Sequence, residues 1–60
     1  MKIKLHNIHT DDTVEVEFIS HSQAVVNGKG IPISPEKWNV KFPNGHREIL
    51  TSFQGWHVQN

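Results

Sequence analysis

The sequence predicts an all-β fold: a small five-stranded antiparallel barrel or sandwich with at most one short helical turn. Several short runs alternate apolar and polar residues with a period of two, which places each apolar set on one face of a strand. Turn-forming residues separate these runs at short intervals, as in small barrels and sandwiches. No stretch of usable length has the period of an amphipathic helix. The 60 residues are expected to form one small β domain, 1–60.

An antiparallel hairpin is predicted at the N-terminus. Two alternating runs, 2–6 and 14–18, flank a polar turn at 9–12. Pairing them sets apolar residues opposite each other on one face and opposite charges on the other, which stabilises a hairpin. The expected pairs are Leu5–Val16, Lys4–Glu17 and His6–Glu15.

In the middle of the chain, the sequence of residues 24–37 predicts one short strand followed by an extended segment. Residues 24–26 are apolar and precede Asn27-Gly28-Lys29-Gly30, a turn in which Gly and Asn supply positive φ. A hairpin turn explains this sequence better than a phosphate-binding loop, since no helix follows it. Residues 31–35 contain two prolines and are expected to be an edge strand or a connection. Residues 34–37 resemble a helix start with proline at its first position, so we expect at most one helical turn there.

A second hairpin is predicted around Asn44-Gly45, because Asn-Gly between alternating runs is the strongest short-range hairpin signal. The expected pairs are Lys41–Glu48 and Val40–Ile49. Residues 51–55 suit a tight turn or a single 3₁₀ turn, and residues 56–58 a short last strand.

This order of hairpin, strand, hairpin, tight turn and closing strand resembles the layout of an SH3-like barrel. In that layout the last strand follows a 3₁₀ turn and pairs near the first. The resemblance is one of pattern and rests on no motif. The proline-binding motif of SH3 domains uses tyrosines, and the chain has no Tyr. The resemblance therefore implies a topology and no binding residue.

Composition excludes several classes of function. Lys and Arg balance Asp and Glu at six each, so the chain lacks a general attraction to phosphate. Without cysteine it has no disulfide, thiolate zinc site or iron–sulfur cluster. No membrane span or secretory segment is present in the sequence, and we expect a cytoplasmic protein. The start at Met1 suits a small gene product, for example a bacterial or phage accessory protein that modulates a larger one.

The number of histidines is unusual for a chain of this length: five, at positions 6, 9, 21, 46 and 57. His6 and His9 are close enough in sequence to share a zinc ion, but residues three apart on a strand point to opposite faces. We therefore favour surface histidines, with pH sensing as an alternative. Asp11 and Asp12 are expected to accept backbone hydrogen bonds in their turn. No nucleophile, Walker or dinucleotide-binding motif is present, so we expect no enzyme, no metal and no cofactor.

The candidate binding residues combine tryptophan with positive charge. Trp is enriched at interface hot spots, although both tryptophans could instead close the ends of a barrel. An exposed Trp surrounded by basic residues suits an acidic protein surface or single-stranded nucleic acid. The predicted binding residues are Trp38, Trp56, Lys29, Lys37, Lys41 and Arg47.

The apolar segment 24–26 is flanked by uncharged residues, so it is either an edge that pairs with its own copy or an ordinary inner strand. A domain of 60 residues buries only about 60 % of its unfolded surface, which favours a partner that covers the rest. We therefore expect a non-catalytic binding module that acts through protein–protein interaction or self-assembly. Nucleic-acid binding through Trp and Lys/Arg contacts is the alternative, and no membrane partner is expected.

Overall fold

The computed structural model describes residues 1–59, and Asn60 of the predicted domain 1–60 lies outside them. The described chain is mainly antiparallel β-structure, which confirms the predicted all-β class. None of its helices is long and apolar enough to cross a membrane. The elements are β1 (Lys2–Asn7), β2 (Thr13–Ser22), β3 (Val25–Val26), β4 (Pro32–Ser34), β5 (Lys37–Lys41), β6 (Arg47–Thr51), a 3₁₀ turn (Ser52–Gln54) and β7 (Trp56–Val58).

Five of the strands form one sheet in the order β6-β5-β2-β1-β7. A flat sheet of this size would separate its edge strands by about 19 Å. The 3₁₀ turn that connects the two edge strands advances only about 6 Å, so the sheet has to curl. No ladder joins β6 to β7 within residues 1–59, so the curled sheet stays open and the predicted closed barrel is not observed.

The core lies on the concave face of this curled sheet. Cross-strand neighbours such as Leu5 and Val14, or Trp38 and Leu50, put their side chains there together. The buried apolar residues are Leu5, Val16, Trp38, Val40 and Leu50. Five more pack against them while partly exposed: Ile3, Val14, Phe18, Phe42 and Trp56. The core is therefore small, as the length of the chain predicts.

The first hairpin forms, but its predicted register is wrong by two residues. The observed pairs are Leu5–Val14, Ile3–Val16, Lys4–Glu15, Lys2–Glu17 and His6–Thr13. The four-residue loop lies at residues 8–11, one residue before the predicted turn at 9–12, and Asp11 in it adopts a left-handed φ of 63°. The backbone N–H of Asp11 donates to the carbonyl of Asn7, and the N–H of Asn7 to that of Asp12. A shift of two residues keeps every side chain on its predicted face.

The second hairpin is shifted by one residue, and its predicted pairs are wrong. The observed pairs are Trp38–Leu50, Asn39–Ile49, Val40–Glu48 and Lys41–Arg47. Pro43-Asn44-Gly45 forms a three-residue loop, in which the N–H of Gly45 donates to the carbonyl of Phe42 and Gly45 has φ 90°. Such a loop is a turn followed by a left-handed glycine, one residue longer than the expected Asn-Gly turn. A shift of one residue reverses the faces of a strand, so Leu50 is buried and Ile49 is 56 % exposed.

No helical turn forms at residues 34–37, where at most one was expected, since β4 ends at Ser34 and β5 begins at Lys37. Two hydrogen bonds between Glu36 and Ser52 hold the connection extended. The N–H of Glu36 donates to Ser52 Oγ at 3.0 Å, and the N–H of Ser52 donates to the carbonyl of Glu36 at 2.9 Å. The 3₁₀ turn and the short last strand are confirmed.

Asn7 is the buried polar residue that joins the first loop to the 3₁₀ turn. Its Oδ1 accepts the N–H groups of His9 and Thr10, and its Nδ2 donates to the carbonyl of Gln54. Gly55 follows that turn with φ 99°, and its carbonyl accepts the N–H of Ile8. These bonds hold β7 beside β1.

The remaining strands, β3 and β4, continue the β2–β5 ladder beyond the five-stranded sheet. Ser22 pairs with Lys37, and three residues farther along Val25 pairs with Ser34, so both ladders share one register. Pro35 lies in the gap between them, where its missing N–H interrupts the ladder. We call residues 23–34 the arm.

The arm projects from the sheet. β1 pairs with β2 only as far as Glu17, and β6 pairs with β5 only as far as Lys37, so neither strand reaches it. The radius of gyration is 12.1 Å, whereas about 10 Å is expected for a compact chain of this length. The principal extents of 40 × 23 × 19 Å show the same elongation.

Candidate functional site

The two tryptophans predicted as contact residues lie mainly in the core. Trp38 is 3 % exposed and faces Leu50 across the β5–β6 ladder. Trp56 is half-buried opposite Asn7 and packs against the same core. A buried ring offers no face to a partner, so Trp38 stabilises the fold and only part of Trp56 is accessible.

The four predicted basic residues are spread over the molecule. Lys29 lies in the turn at the tip of the arm, whereas Lys37 and Lys41 stand at opposite ends of β5. Only Lys41 and Arg47 are brought together, as a cross-strand pair. The structure therefore does not assemble the predicted group of Trp and Lys/Arg residues into one surface.

A carboxylate lies among cations near the N-terminus. The Met1 ammonium donates to Glu17 Oε1 at 2.8 Å, and Lys2 and Lys41 are the cross-strand neighbours of Glu17. The hydrogen bond and charge of the ammonium, with help from both lysines, lower the pKa of Glu17 from its ordinary value of 4.5. A cleft of about 420 Å³ lies beside it. Its lining carries both signs of charge: Lys2, Glu15, Val16, Glu17, Lys41, Phe42 and Pro43.

Four of the ten exposed large apolar residues within residues 1–59 lie on the arm. Its four large apolar residues are each between 51 % and 63 % exposed: Val25, Val26, Ile31 and Ile33. Every residue from 19 to 33 is exposed, and Lys29 is the single Lys, Arg, Asp or Glu among residues 18–35. Soluble monomers rarely expose contiguous apolar patches unless a partner covers them.

The base of the arm is held firmly on the sheet. His21 Nε2 lies 2.7 Å from Glu36 Oε2. His21 lies near the end of β2 and Glu36 directly precedes β5, so the contact joins the two sides of the hairpin where the arm begins. The His21 ring also lies over Trp38, with ring centroids 5.6 Å apart. Together with the bonds between Glu36 and the 3₁₀ turn, these contacts fix the direction in which the arm projects.

Sequence reasoning identified residues 24–26 as a candidate edge but missed Ile31 and Ile33. The prolines around them indicated an edge strand or a connection, so their side chains received no role. The alternative of an ordinary inner strand is wrong, because within residues 1–59 β3 pairs with β4 alone. Residues 18–35 contain a single charged side chain, Lys29, and this pattern could have identified the whole arm.

The histidines are held in separate local contacts. His6 contacts Thr13 Oγ1 at 2.9 Å and Asp11 Oδ1 at 3.2 Å, and it faces His57 across the β1–β7 ladder. His9 lies against Gly55 instead of beside His6. Within residues 1–59 no three His, Asp or Glu side chains are arranged to hold a metal ion.

No buried side-chain nitrogen or oxygen in the described part of the chain lacks a hydrogen-bond partner. Asp11 has a side chain that is 93 % exposed, at a left-handed position of its turn. Within residues 1–59 neither Asp11 nor Asp12 accepts a backbone N–H through its carboxylate, so that expectation is wrong: Asp11 Oδ1 lies against His6 Nε2, and the N–H of Asp12 donates to Thr10 Oγ1.

Comparison with protein families, with characterised proteins and with solved structures finds no significant match to this chain.

Proposed function

We propose that this chain is a non-catalytic binding module that acts through protein–protein contact, with the arm as its contact surface. The observation that carries the proposal is the set of four large apolar side chains exposed on a projecting hairpin with a fixed base. Two-stranded hairpins are marginal alone in water. A partner that covers this arm stabilises it and removes its apolar surface from water.

Covering the arm removes a definite amount of apolar surface from water. Complete burial of a Val or Ile side chain contributes about 1.5–3 kcal/mol relative to full exposure. Because each of the four is only about half exposed, covering them contributes about 1 kcal/mol each. Part of that gain offsets the lost freedom of association. The four side chains together contribute about 4 kcal/mol, which is no more than the cost of association, so a stable contact also needs backbone pairing along the edge of the arm.

Protein contact is favoured over nucleic-acid contact. Stacking on single-stranded nucleic acid needs exposed aromatic faces next to positive charge. Trp38 is buried, and the arm has a single cation, Lys29. The cation pair Lys41–Arg47 lies at the far end of the sheet, next to the carboxylate of Glu17.

The curled sheet supports an SH3-like barrel as the finer description of the fold. The strand order, the 3₁₀ turn before β7 and the pairing of β7 with β1 all agree with that layout. In this topology β2 and β5 are the second and third barrel strands, and the arm is a long extension of the hairpin that connects them. A small module with such an excursion suits an accessory protein that modulates a larger one.

The test compares a double substitution on the arm with a matched control. Ile31→Ser with Ile33→Ser removes apolar surface from the arm, whereas Ile49→Ser makes the same chemical change at a similarly exposed position on β6. All these sites are exposed, so the free energy of unfolding should change by less than about 1 kcal/mol.

Cross-linking in the cells that make the protein, followed by mass spectrometry, is the measurement. We expect the wild type and the Ile49→Ser variant to give the same cross-linked proteins, including cross-links between copies, and the arm variant to lose them. Identical cross-links from all three proteins would contradict the proposal.

A further inference from the structure

Residues 19–26 form a free strand edge on one side of the arm. The β1–β2 ladder ends at Glu17, and the N–H of Phe18 donates to the carbonyl of Met1, the residue before β1. Since β2 and β3 share one register against β5 and β4, the opposite side of residues 19–26 has no neighbouring strand within the described chain. An edge of this kind presents unpaired N–H and C=O groups.

This edge lacks the features that normally prevent pairing between proteins. Charged residues and prolines protect edge strands. The outer edge of β6 carries Arg47 and Glu48, the outer edge of β4 carries Pro32, and β7 has only three residues. The edge of residues 19–26 contains no Lys, Arg, Asp, Glu or Pro. It is therefore the edge best suited to accept another strand.

Taking the arm as the contact surface proposed above, we infer that its partner is a second copy of this chain. The two edges of residues 19–26 pair in antiparallel fashion about a two-fold axis at Gln23, so that Gln23 faces its own copy. A two-fold contact brings the same surface from both subunits together. It joins two marginal hairpins into a four-stranded sheet, β4-β3-β3-β4, which is large enough to be stable where two strands are not.

Charge favours a copy over an unrelated strand. An uncharged edge does not repel itself, so no second, complementary sequence is needed. Antiparallel pairing carries the two Lys29 residues to opposite ends of the new sheet. Each lies about 20 Å from the axis at 3.3 Å per residue, so the two charges are separated by more than the screening length of about 10 Å.

The available surface is also sufficient. A stable interface buries about 800 Å² on each partner, roughly a fifth of the 4327 Å² surface of this chain. Residues 19–33 make up a quarter of the chain and are all exposed, which corresponds to about 1,100 Å² if they carry an equal share of that surface. The edge and the arm therefore expose more surface than a stable interface buries on one partner, so the contact does not need the concave face.

The test uses charge at the axis. Gln23 is exposed and lies at the centre of the edge, so either Gln23→Glu or Gln23→Lys places two like charges near each other in the dimer. Like charges across a ladder oppose pairing and opposite charges favour it. Gln59→Glu makes the same change at an exposed position after β7 and serves as the control.

Sedimentation of the full chain over a concentration series gives the dissociation constant of the dimer. We expect the wild type and Gln59→Glu to dimerise alike, and each Gln23 variant to dimerise about twofold to fivefold more weakly. An equimolar mixture of the two Gln23 variants, one of them labelled with ¹⁵N, should restore association as a heterodimer, which the label distinguishes from both homodimers in native mass spectrometry.

A wild type that stays monomeric up to about 1 mM overturns the inference, as does a mixture that fails to restore the dimer. The cross-linking experiment separates these failures from failure of the proposed function. A monomer whose cross-links to another protein still require Ile31 and Ile33 leaves the arm as the contact surface and excludes self-pairing. A monomer whose cross-links are independent of the arm overturns both.

Discussion

Replacing Gly55 with alanine should lower the free energy of unfolding by about 3 kcal/mol, because two penalties coincide at this position. Its φ of 99° is one that a side chain rarely adopts, at a cost of about 1–2 kcal/mol. A Cβ atom there would also lie 2.5 Å from His9 Cδ2 and 2.8 Å from Asn7 Oδ1. Moving Asn7 Oδ1 away breaks its bonds to the N–H groups of His9 and Thr10, each contributing about 1 kcal/mol.

Two other glycines separate these penalties. Gly45 has a similar φ of 90° but nothing within 4 Å of an added Cβ, so Gly45→Ala should cost only the backbone term of about 1–2 kcal/mol. Gly28 has open space as well and no left-handed φ. Gly28→Ala should therefore change the free energy of unfolding by less than about 1 kcal/mol, in the direction of higher stability.

Urea unfolding followed by tryptophan fluorescence measures all three variants. The expected order of stability is Gly28→Ala, then Gly45→Ala, then Gly55→Ala, with unchanged m-values. Equal losses for Gly45→Ala and Gly55→Ala would refute the reasoning, because the close contact of Gly55 with Asn7 and His9 would then contribute nothing.

Two further predictions test the second hairpin and the N-terminal charge cluster. Leu50→Ala should lower the free energy of unfolding by about 2–4 kcal/mol and Ile49→Ala by less than about 1 kcal/mol, because the observed register buries Leu50 and exposes Ile49. Chemical denaturation measures both variants. A larger loss for Ile49→Ala would indicate the register with Val40 opposite Ile49. The lowered pKa of Glu17 means that its ionised form is favoured in the folded protein, so its contribution to stability is present above its ordinary pKa and is lost as the pH falls through the lowered one. Glu17→Gln should therefore reduce the loss of thermal stability on acidification, and an unchanged acid dependence of the unfolding midpoint would show that the bond to the Met1 ammonium is unimportant.

The existence and type of most elements could be predicted from the sequence, because each depends on local alternation and turn residues. The registers could not, because they depend on how a loop closes. Pro43 fits the first central position of the turn that starts at Phe42, and this adds one residue to the loop that Asn44-Gly45 alone would form. Asn7 closes the first loop through its side chain, which alternation does not reveal.

The position of the candidate site was predictable only in part. The apolar segment at residues 24–26 pointed to an edge, but periodicity does not tell how far β1 and β6 extend along their neighbours. The projection of the arm follows from those two limits. Burial of Trp38 likewise depends on the face that Leu50 occupies, which the expected register assigned to the other side.

Amide hydrogen exchange of the wild-type chain at low and at high protein concentration tests the central claim most directly, because it locates the contact surface residue by residue. The account predicts that protection rises with concentration at residues 19–26 and across the arm, while the rest of the sheet is unchanged. Protection that rises along β6 or β7 instead, with the arm unchanged, would contradict it.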